Sequence, residues 1–325
     1  MIRSFPVSRP VRSLVWESDD LIDIAAGWRR WRADGSEEHG RVNYAFPFDR
    51  ALVSPSGGFQ VLYAERGTKG LVLEHGEILR EIDRSFYCAN AYDYPAAVGR
   101  LPDGREILVH CPDAYNVLQI EELETGRRLT MGERRAVDVF HSRLAVSPDG
   151  RYLLSAGWLW HPLGTVEVYD LVAALDDPTV LDQHGALWEQ IDAGVEAACW
   201  LDSERLLVSG HPDEEPLDGD DAGLLAPGEL GVWSLTRQAW TRRRRIDFRV
   251  GTLLGCQGRA LGMYGHPKLI DPAAATVLAQ WPELATGSKD ASYSLEPTPI
   301  VAVHPDGTRA AVATTSAIAV IDLPS

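Results

Sequence analysis

Five histidines occupy comparable positions in the sequence and could together form a metal or acid–base site. His110, His161, His211 and His266 each stand at or just after the end of an apolar segment, and His141 precedes another such segment. Histidine is the commonest metal ligand and titrates near neutral pH. Three interpretations stay open: a metal site, a histidine-lined pocket without metal, and unconnected turn residues. The last is the simplest, because repeats copy their turn residues, and no metal or cofactor is assigned.

Aromatic and arginine side chains accompany these histidines. Tryptophan and arginine are enriched at the centres of protein interfaces. The segments WRRWRADG (28–35) and WLWHP (158–162) are predicted loops that could present them. The candidate binding residues are therefore Trp28, Arg29, Trp31, His110, His141, Trp158, Trp160, His161, His211, Tyr264 and His266. The alternative for the tryptophans is structural packing of their indole rings over strand edges.

Recognisable catalytic motifs are absent from the sequence. It contains no Gly-x-Ser-x-Gly, no phosphate-binding glycine loop before a helix and no His-Glu-x-x-His. The acidic segment 211–229 includes Asp218, Asp220 and Asp221 but lacks the spacing of an EF-hand calcium loop, which favours a solvated loop. Enzyme activity stays open, because an active site could collect single residues from several repeats.

An internal repeat determines how these residues are positioned. The clearest unit, LAVSPDGRYLLSAG (144–157), consists of two apolar runs joined by a Pro-Asp-Gly turn, which predicts a β-hairpin. Related units start at residues 13, 51, 96, 197, 252 and 301. A third apolar segment and a more polar fourth one follow most of them. Repeats of four antiparallel strands at this spacing are typical of β-propeller blades, so the sequence predicts an all-β, seven-bladed propeller.

The repeats resemble those of WD40-type propellers, in a degenerate WD40 or YVTN-like form. VYDL (168–171), VWSL (232–235) and VIDL (320–323) stand where that family ends its third strand with Trp-Asp. The SPDG turn and the position of His141 also fit the family. The resemblance covers nearly the whole chain and implies the propeller fold. It implies little about function, because propellers host unrelated activities.

The sequence also predicts how the ring closes. The last repeat ends at Ser325 after three strands, and IRSFPV (2–7) is the spare segment that could supply the fourth. Such pairing would remove two open sheet edges. Residues 1–325 are thus expected to form a single propeller domain. The alternative is a six-bladed ring in which residues 1–50 form an irregular cap.

Composition restricts the classes of partner. The formal net charge of -16 disfavours general binding to nucleic acid or anionic membranes. No segment is apolar enough to span a bilayer, and the N-terminus lacks the apolar core of a signal peptide. The four cysteines lack CxxC spacing, which favours reduced thiols and a cytoplasmic location. The excess of arginine over lysine is typical of a high-GC bacterial genome.

Two functional hypotheses follow. The first is an interaction module that binds a protein or peptide on the top face, the end of the ring that carries the loops between second and third strands and the connections between blades. The second is an enzyme, or a small-molecule or metal-binding propeller, that uses an axial pocket lined by His110, His141, His161, His211 and His266.

Overall fold

The computed structural model describes residues 2–160, 162–214 and 223–324, which form seven small antiparallel sheets arranged as the blades of a propeller and one additional two-stranded hairpin. The first strands of successive blades pack against one another around the axis. The predicted all-β, seven-bladed architecture is therefore confirmed, and the six-bladed alternative is wrong because residues 15–38 form a complete blade. No helix in the described residues is long and apolar enough to cross a membrane.

The strands follow one another blade by blade. The chain starts with β1 (Ile2–Pro6). Blade 1 contains β2 (Val15–Glu17), β3 (Asp20–Asp23), β4 (Arg29–Trp31) and β5 (Glu37–Glu38). Blade 2 contains β6 (Arg50–Val53), β7 (Phe59–Tyr63), β8 (Lys69–Glu74) and β9 (Glu77–Asp83). Blade 3 contains β10 (Ala96–Arg100), β11 (Glu106–His110) and β12 (Gln119–Glu122).

Blade 4 carries an inserted hairpin and the helical segments. It contains β13 (Leu144–Val146), β14 (Tyr152–Ser155), the hairpin β15 (Trp158–Leu159) and β16 (Leu163–Gly164), then β17 (Glu167–Asp170) and α1 (Leu171–Asp176). Two 3-10 helices follow, Pro178–Asp182 and Trp188–Gln190.

The remaining blades each have four strands. Blade 5 contains β18 (Val195–Trp200), β19 (Arg205–Gly210), β20 (Glu229–Ser234) and β21 (Ala239–Arg245). Blade 6 contains β22 (Leu253–Cys256), β23 (Arg259–Gly262), β24 (Lys268–Asp271) and β25 (Thr276–Gln280). Blade 7 contains β26 (Val301–Val303), β27 (Arg309–Ala313) and β28 (Ala317–Asp322), and β1 pairs with β28.

The N-terminal strand closes the ring as predicted. β1 runs antiparallel to β28, with Ile2 opposite Ile321 and Phe5 opposite Ile318. Phe5 is buried in a cluster that joins blade 7 to blade 1. The last blade thereby gains its fourth strand from the other end of the chain, and the paired edge of β28 is no longer open.

The Pro-Asp-Gly turns depend on glycine. In the turn between β13 and β14, Gly150 has a φ of 77°, in the left-handed region. A Cβ atom built at Gly150 would lie only 1.6 Å from the carbonyl oxygen of Arg100 in the neighbouring blade. The turn therefore needs glycine both for its own backbone conformation and for the close approach of blade 3.

Blades 3 and 4 depart from the predicted four strands. In blade 3 the segment 125–131 forms only one bridge, Glu121 with Arg128, and the hydroxyl of Thr130 accepts the hydrogen bond of the Ile120 N–H. In blade 4, α1 covers the outer edge instead. Asp170 caps this helix, and its buried residues Leu171 and Ala174 pack in the cluster between blades 3 and 4.

Candidate protein-binding surface on the top face

The histidines of blades 3 and 4 are interior residues. His110 is buried at the end of β11, and its Nε2 lies 3.1 Å from Oε1 of Glu121. His141 is buried below blade 4, where its Nδ1 lies 3.0 Å from Oγ of Ser155 and its ring meets Tyr169 edge-on. Burial lowers the pKa of His141 to about 4, so the ring is neutral at physiological pH. These contacts are typical of residues that fix a blade.

The other two candidate histidines that the structure describes, His211 and His266, lie in blades 5 and 6 and have partners of their own. Nε2 of His211 lies 3.1 Å from Nη2 of Arg249, which also stacks over the ring of Tyr264. Nε2 of His266 lies 3.1 Å from Oε1 of Gln280. His161 lies outside the described residues. Among the described residues no three His, Cys, Asp or Glu side chains group closely enough to hold a metal ion.

Two of the candidate binding residues of blade 1 do not lie in the exposed loop predicted for them. Arg29 and Trp31 lie on β4 and are buried, so their assignment to an exposed loop is wrong. Arg29 forms an ion pair with Asp23, and its guanidinium stacks over the Trp31 ring. Trp28 is half-buried, and its Nε1 donates a 3.0 Å hydrogen bond to Oη of Tyr44. The loop is shorter than expected because the chain turns at Gly27, which has a φ of 82°.

A single connection covers the axial end of the top face. The segment 281–300 joins blade 6 to blade 7, yet its residues contact blades on the opposite side of the ring. The carbonyl of Ser292 accepts from the N–H of Asp93, between blades 2 and 3, at 3.2 Å. The ring of Tyr293 lies 5.7 Å from that of Trp158 in blade 4. A segment that joins these positions must cross the axis.

Buried charges hold this covering segment in place. Nζ of Lys289 lies 2.8 Å from Oδ1 of Asp93, which also pairs with Arg66 at 3.2 Å. Lys289 further donates to the carbonyls of Ser294 and Glu296. Burial raises the pKa of Asp93 and lowers that of Lys289, while their mutual attraction opposes both shifts. The pair ties the segment to the connection between blades 2 and 3.

Beside the covering segment, five aromatic side chains from three successive blades stack into one surface. We call this surface the aromatic patch; it consists of Tyr87, Tyr115, Phe140, Trp158 and Trp160. Its buried base is Phe140, whose ring lies 4.4 Å from that of Trp158 and 4.5 Å from that of Tyr115. Tyr92 packs on Phe140 from below at 5.3 Å.

The outer members of the aromatic patch face solvent. The side chain of Trp160 is 56% exposed and that of Tyr87 53%. Phe86, which precedes Tyr87 in the chain, is 84% exposed. Single exposed apolar side chains are common on protein surfaces, whereas a contiguous group of them often marks a binding site. Because the base is packed, the exposed rings are held in place before any partner arrives.

Carboxylates lie at two places beside the aromatic patch. Oη of Tyr115 donates a 2.6 Å hydrogen bond to Oδ1 of Asp138, and burial together with this carboxylate raises the pKa of Tyr115 to about 12. Tyr293, which neighbours Trp158 on the inner side, has its pKa raised to about 12 by burial and by the nearby Glu214 and Asp290, while Arg143 opposes the shift. The patch is therefore apolar at its centre and has carboxylates near its outer and inner sides.

The sequence located part of this surface. Trp158 and Trp160 lie between the second and third strands of blade 4, with Trp158 buried in the base of the patch and Trp160 exposed. Sequence reasoning missed Tyr87, Tyr115 and Phe140. The sequence did contain a signal for this surface in SFYCANAYDY (85–94). This segment only connects two blades, which a short turn could also do, yet it carries four aromatic residues. The acidic residues Asp218, Asp220 and Asp221 lie outside the described residues.

Comparison with known proteins establishes the fold only. No protein-family model and no curated protein matches the chain. Many solved structures do match, including a chain of the structure titled "Crystal Structure of Mitotic Checkpoint Complex". That match has a TM-score of 0.62 and 12% sequence identity, and it covers 100% of this chain and 91% of the other. The match supports the propeller fold, and a fold shared so widely selects no particular function.

Proposed function

We propose that this propeller binds a peptide segment of a partner protein through the aromatic patch. The observation that carries the proposal is the stacking of exposed Tyr87 and Trp160 on an ordered base of buried rings. Aromatic side chains dominate the energetics of protein interfaces, and a pre-organised surface loses little conformational entropy on binding. A similar fold occurs in a structure titled as a complex, which supports an interaction role by analogy.

The chemistry of the surface selects the kind of peptide. The rings offer flat apolar contact to an aromatic or long aliphatic side chain. Asp138 and Glu214 lie at the edge, and the whole chain carries a net charge of -16. A cationic side chain would gain from both these carboxylates and the faces of the exposed rings. We therefore expect a segment in which an apolar anchor stands next to arginine or lysine.

The axial-pocket alternative gains no comparable support. Four of its five histidines have separate partners within their own parts of the ring, and His161 lies outside the described residues. The covering segment, tied by Lys289 to Asp93, lies across the axial end of the top face. We therefore favour the aromatic patch over the axial pocket as the binding site.

Selection from a phage-displayed library of random dodecapeptides tests the proposal. Binders should be enriched in an aromatic or aliphatic residue beside Arg or Lys. The double variant Tyr87→Ala/Trp160→Ala should bind the selected peptides at least tenfold more weakly, as measured by fluorescence anisotropy. The reason is that the loss of each ring removes about 1–2 kcal/mol of binding free energy. The matched control is Ile78→Ala/Leu278→Ala, which removes two exposed apolar side chains from the outer strands β9 and β25.

The control variant should bind like the wild type, and both variants should keep the wild-type melting temperature. Peptides that bind Tyr87→Ala/Trp160→Ala as well as the wild type would refute the assignment of the surface. So would a selection that enriches acidic sequences without apolar anchors.

A further inference from the structure

The opposite, bottom face carries a groove in which arginine predominates. It lies between blades 5 and 6, among the turns that join first to second and third to fourth strands, and its volume is about 370 Å³. Four arginines line it: Arg205, Arg237, Arg242 and Arg259. In a chain with a net charge of -16, this concentration of one positive residue type is a local reversal of the overall charge.

The acidic residues in and beside the groove do not pair with three of its arginines. Glu204 accepts a 2.6 Å hydrogen bond from the Ser234 hydroxyl, and Asp271 caps a turn by accepting from the N–H of Ala273 at 2.8 Å. Asp202 pairs with Arg205 at 2.6 Å. Among the described residues, Arg237, Arg242 and Arg259 form no ion pair with a carboxylate. The four arginines outnumber the two lining carboxylates, and three of the guanidinium groups are available to a partner.

The strand that supplies Arg242 extends this surface. β21 is the outer strand of blade 5, and Arg244 and Arg245 follow Arg242 along it, all three exposed. Val232 and Leu230, the residues opposite Arg242 and Arg244, pack towards blade 6, so these two arginines lie on the blade 6 side, where the groove opens. An extended partner could follow this strand and contact arginine at alternate positions.

We propose that the groove binds an acidic segment of a partner protein. Guanidinium groups form paired hydrogen bonds with carboxylates, which gives both attraction and orientation. A protein segment suits the site better than a nucleic acid for two reasons. The lining contains no aromatic ring on which a base could stack, and a cleft of about 370 Å³ admits side chains but not a duplex. This site is separate from the aromatic patch and does not depend on it.

Fluorescence anisotropy with a synthetic peptide of alternating Glu and Ser, twelve residues long, tests this proposal. Binding at 50 mM NaCl should weaken strongly at 300 mM, because salt screens exposed charges. The variant Arg237→Gln/Arg242→Gln should bind about tenfold more weakly, as expected for the loss of two exposed charge pairs. Arg12→Gln/Arg41→Gln is the matched control, since it removes the same charge from exposed positions in and beside blade 1.

The results separate the possibilities. A selective loss in Arg237→Gln/Arg242→Gln supports the groove, and an equal loss in the control would show that only overall charge matters. Tighter binding of a twelve-residue single-stranded oligonucleotide than of the peptide would overturn the choice of partner. A Ser-phosphorylated peptide that binds more tightly than the Glu peptide would support the groove as the binding site. It would also show that the groove prefers phosphate groups to carboxylates on the partner. Absence of peptide binding at 50 mM NaCl would refute it.

Discussion

Lys289 and Asp93, 196 residues apart in the sequence, form a buried ion pair in which Nζ lies 2.8 Å from Oδ1. The pair joins the connection between blades 6 and 7 to the connection between blades 2 and 3. Both side chains are almost completely buried. It therefore fastens the covering segment over the axis and, through Tyr293, supports the inner side of the aromatic patch.

Replacement of Lys289 should destabilise the protein. Lys289→Met leaves the Asp93 carboxylate buried with Arg66 as its remaining charged partner, and we expect a loss of about 3 kcal/mol in the free energy of unfolding, measured with urea. Lys69→Met is the control, because the Lys69–Asp83 pair is exposed on both sides and its loss should be nearly neutral in stability. Equal effects of the two substitutions would contradict the structural role of the pair.

Ring closure predicts a large effect of truncation at the N-terminus. Deletion of residues 1–10 removes β1 and leaves the edge of β28 open, so the melting temperature should fall sharply and association through that edge should increase. Phe5→Ala should cost about 3 kcal/mol, since it removes a buried ring from the joint between blades 7 and 1. The control Phe86→Ala removes an exposed ring and should be nearly neutral in stability.

His141 should make stability depend on pH. Its pKa is lowered by burial to about 4, whereas an unfolded histidine titrates near 6.5. The unfolded chain therefore binds the proton first, and the contribution of His141 is fully present above about pH 6.5. It is lost as the pH falls towards 4, up to about 3 kcal/mol. His141→Asn should reduce this slope in urea unfolding measured from pH 7 to pH 4.5, and an unchanged slope would contradict it.

The cysteines provide a probe of the aromatic patch. Cys88 is half-buried beside the patch, whereas Cys111, Cys199 and Cys256 are buried. Native protein should therefore react with one equivalent of a thiol reagent, and denatured protein with four. Cys88→Ser should abolish the native reaction. Peptides selected against the aromatic patch should slow the labelling of Cys88, while the Glu–Ser peptide should not, which distinguishes the two proposed surfaces in one assay.

Much of the fold could be predicted because its signals are local. The SPDG turn of 144–157, the alternation of apolar segments and the spare strand at residues 2–7 each depend on a few neighbouring residues. The errors arose where local patterns were ambiguous. Trp31 could belong to a loop or a short strand, and the segment 125–131 carries strand-forming residues yet pairs through one bridge.

The sequence by itself determined the repeat, the blade number and the closure of the ring, because strand and turn preferences act over short distances. Tertiary structure alone decided which connections meet. Tyr87, Tyr115 and Trp160 come from different loops and meet around Phe140 only because the ring places those loops side by side. The same holds for Lys289 and Asp93, and for the arginines of the bottom groove. Such sites depend on the rotation between blades, a geometric quantity that no single repeat contains.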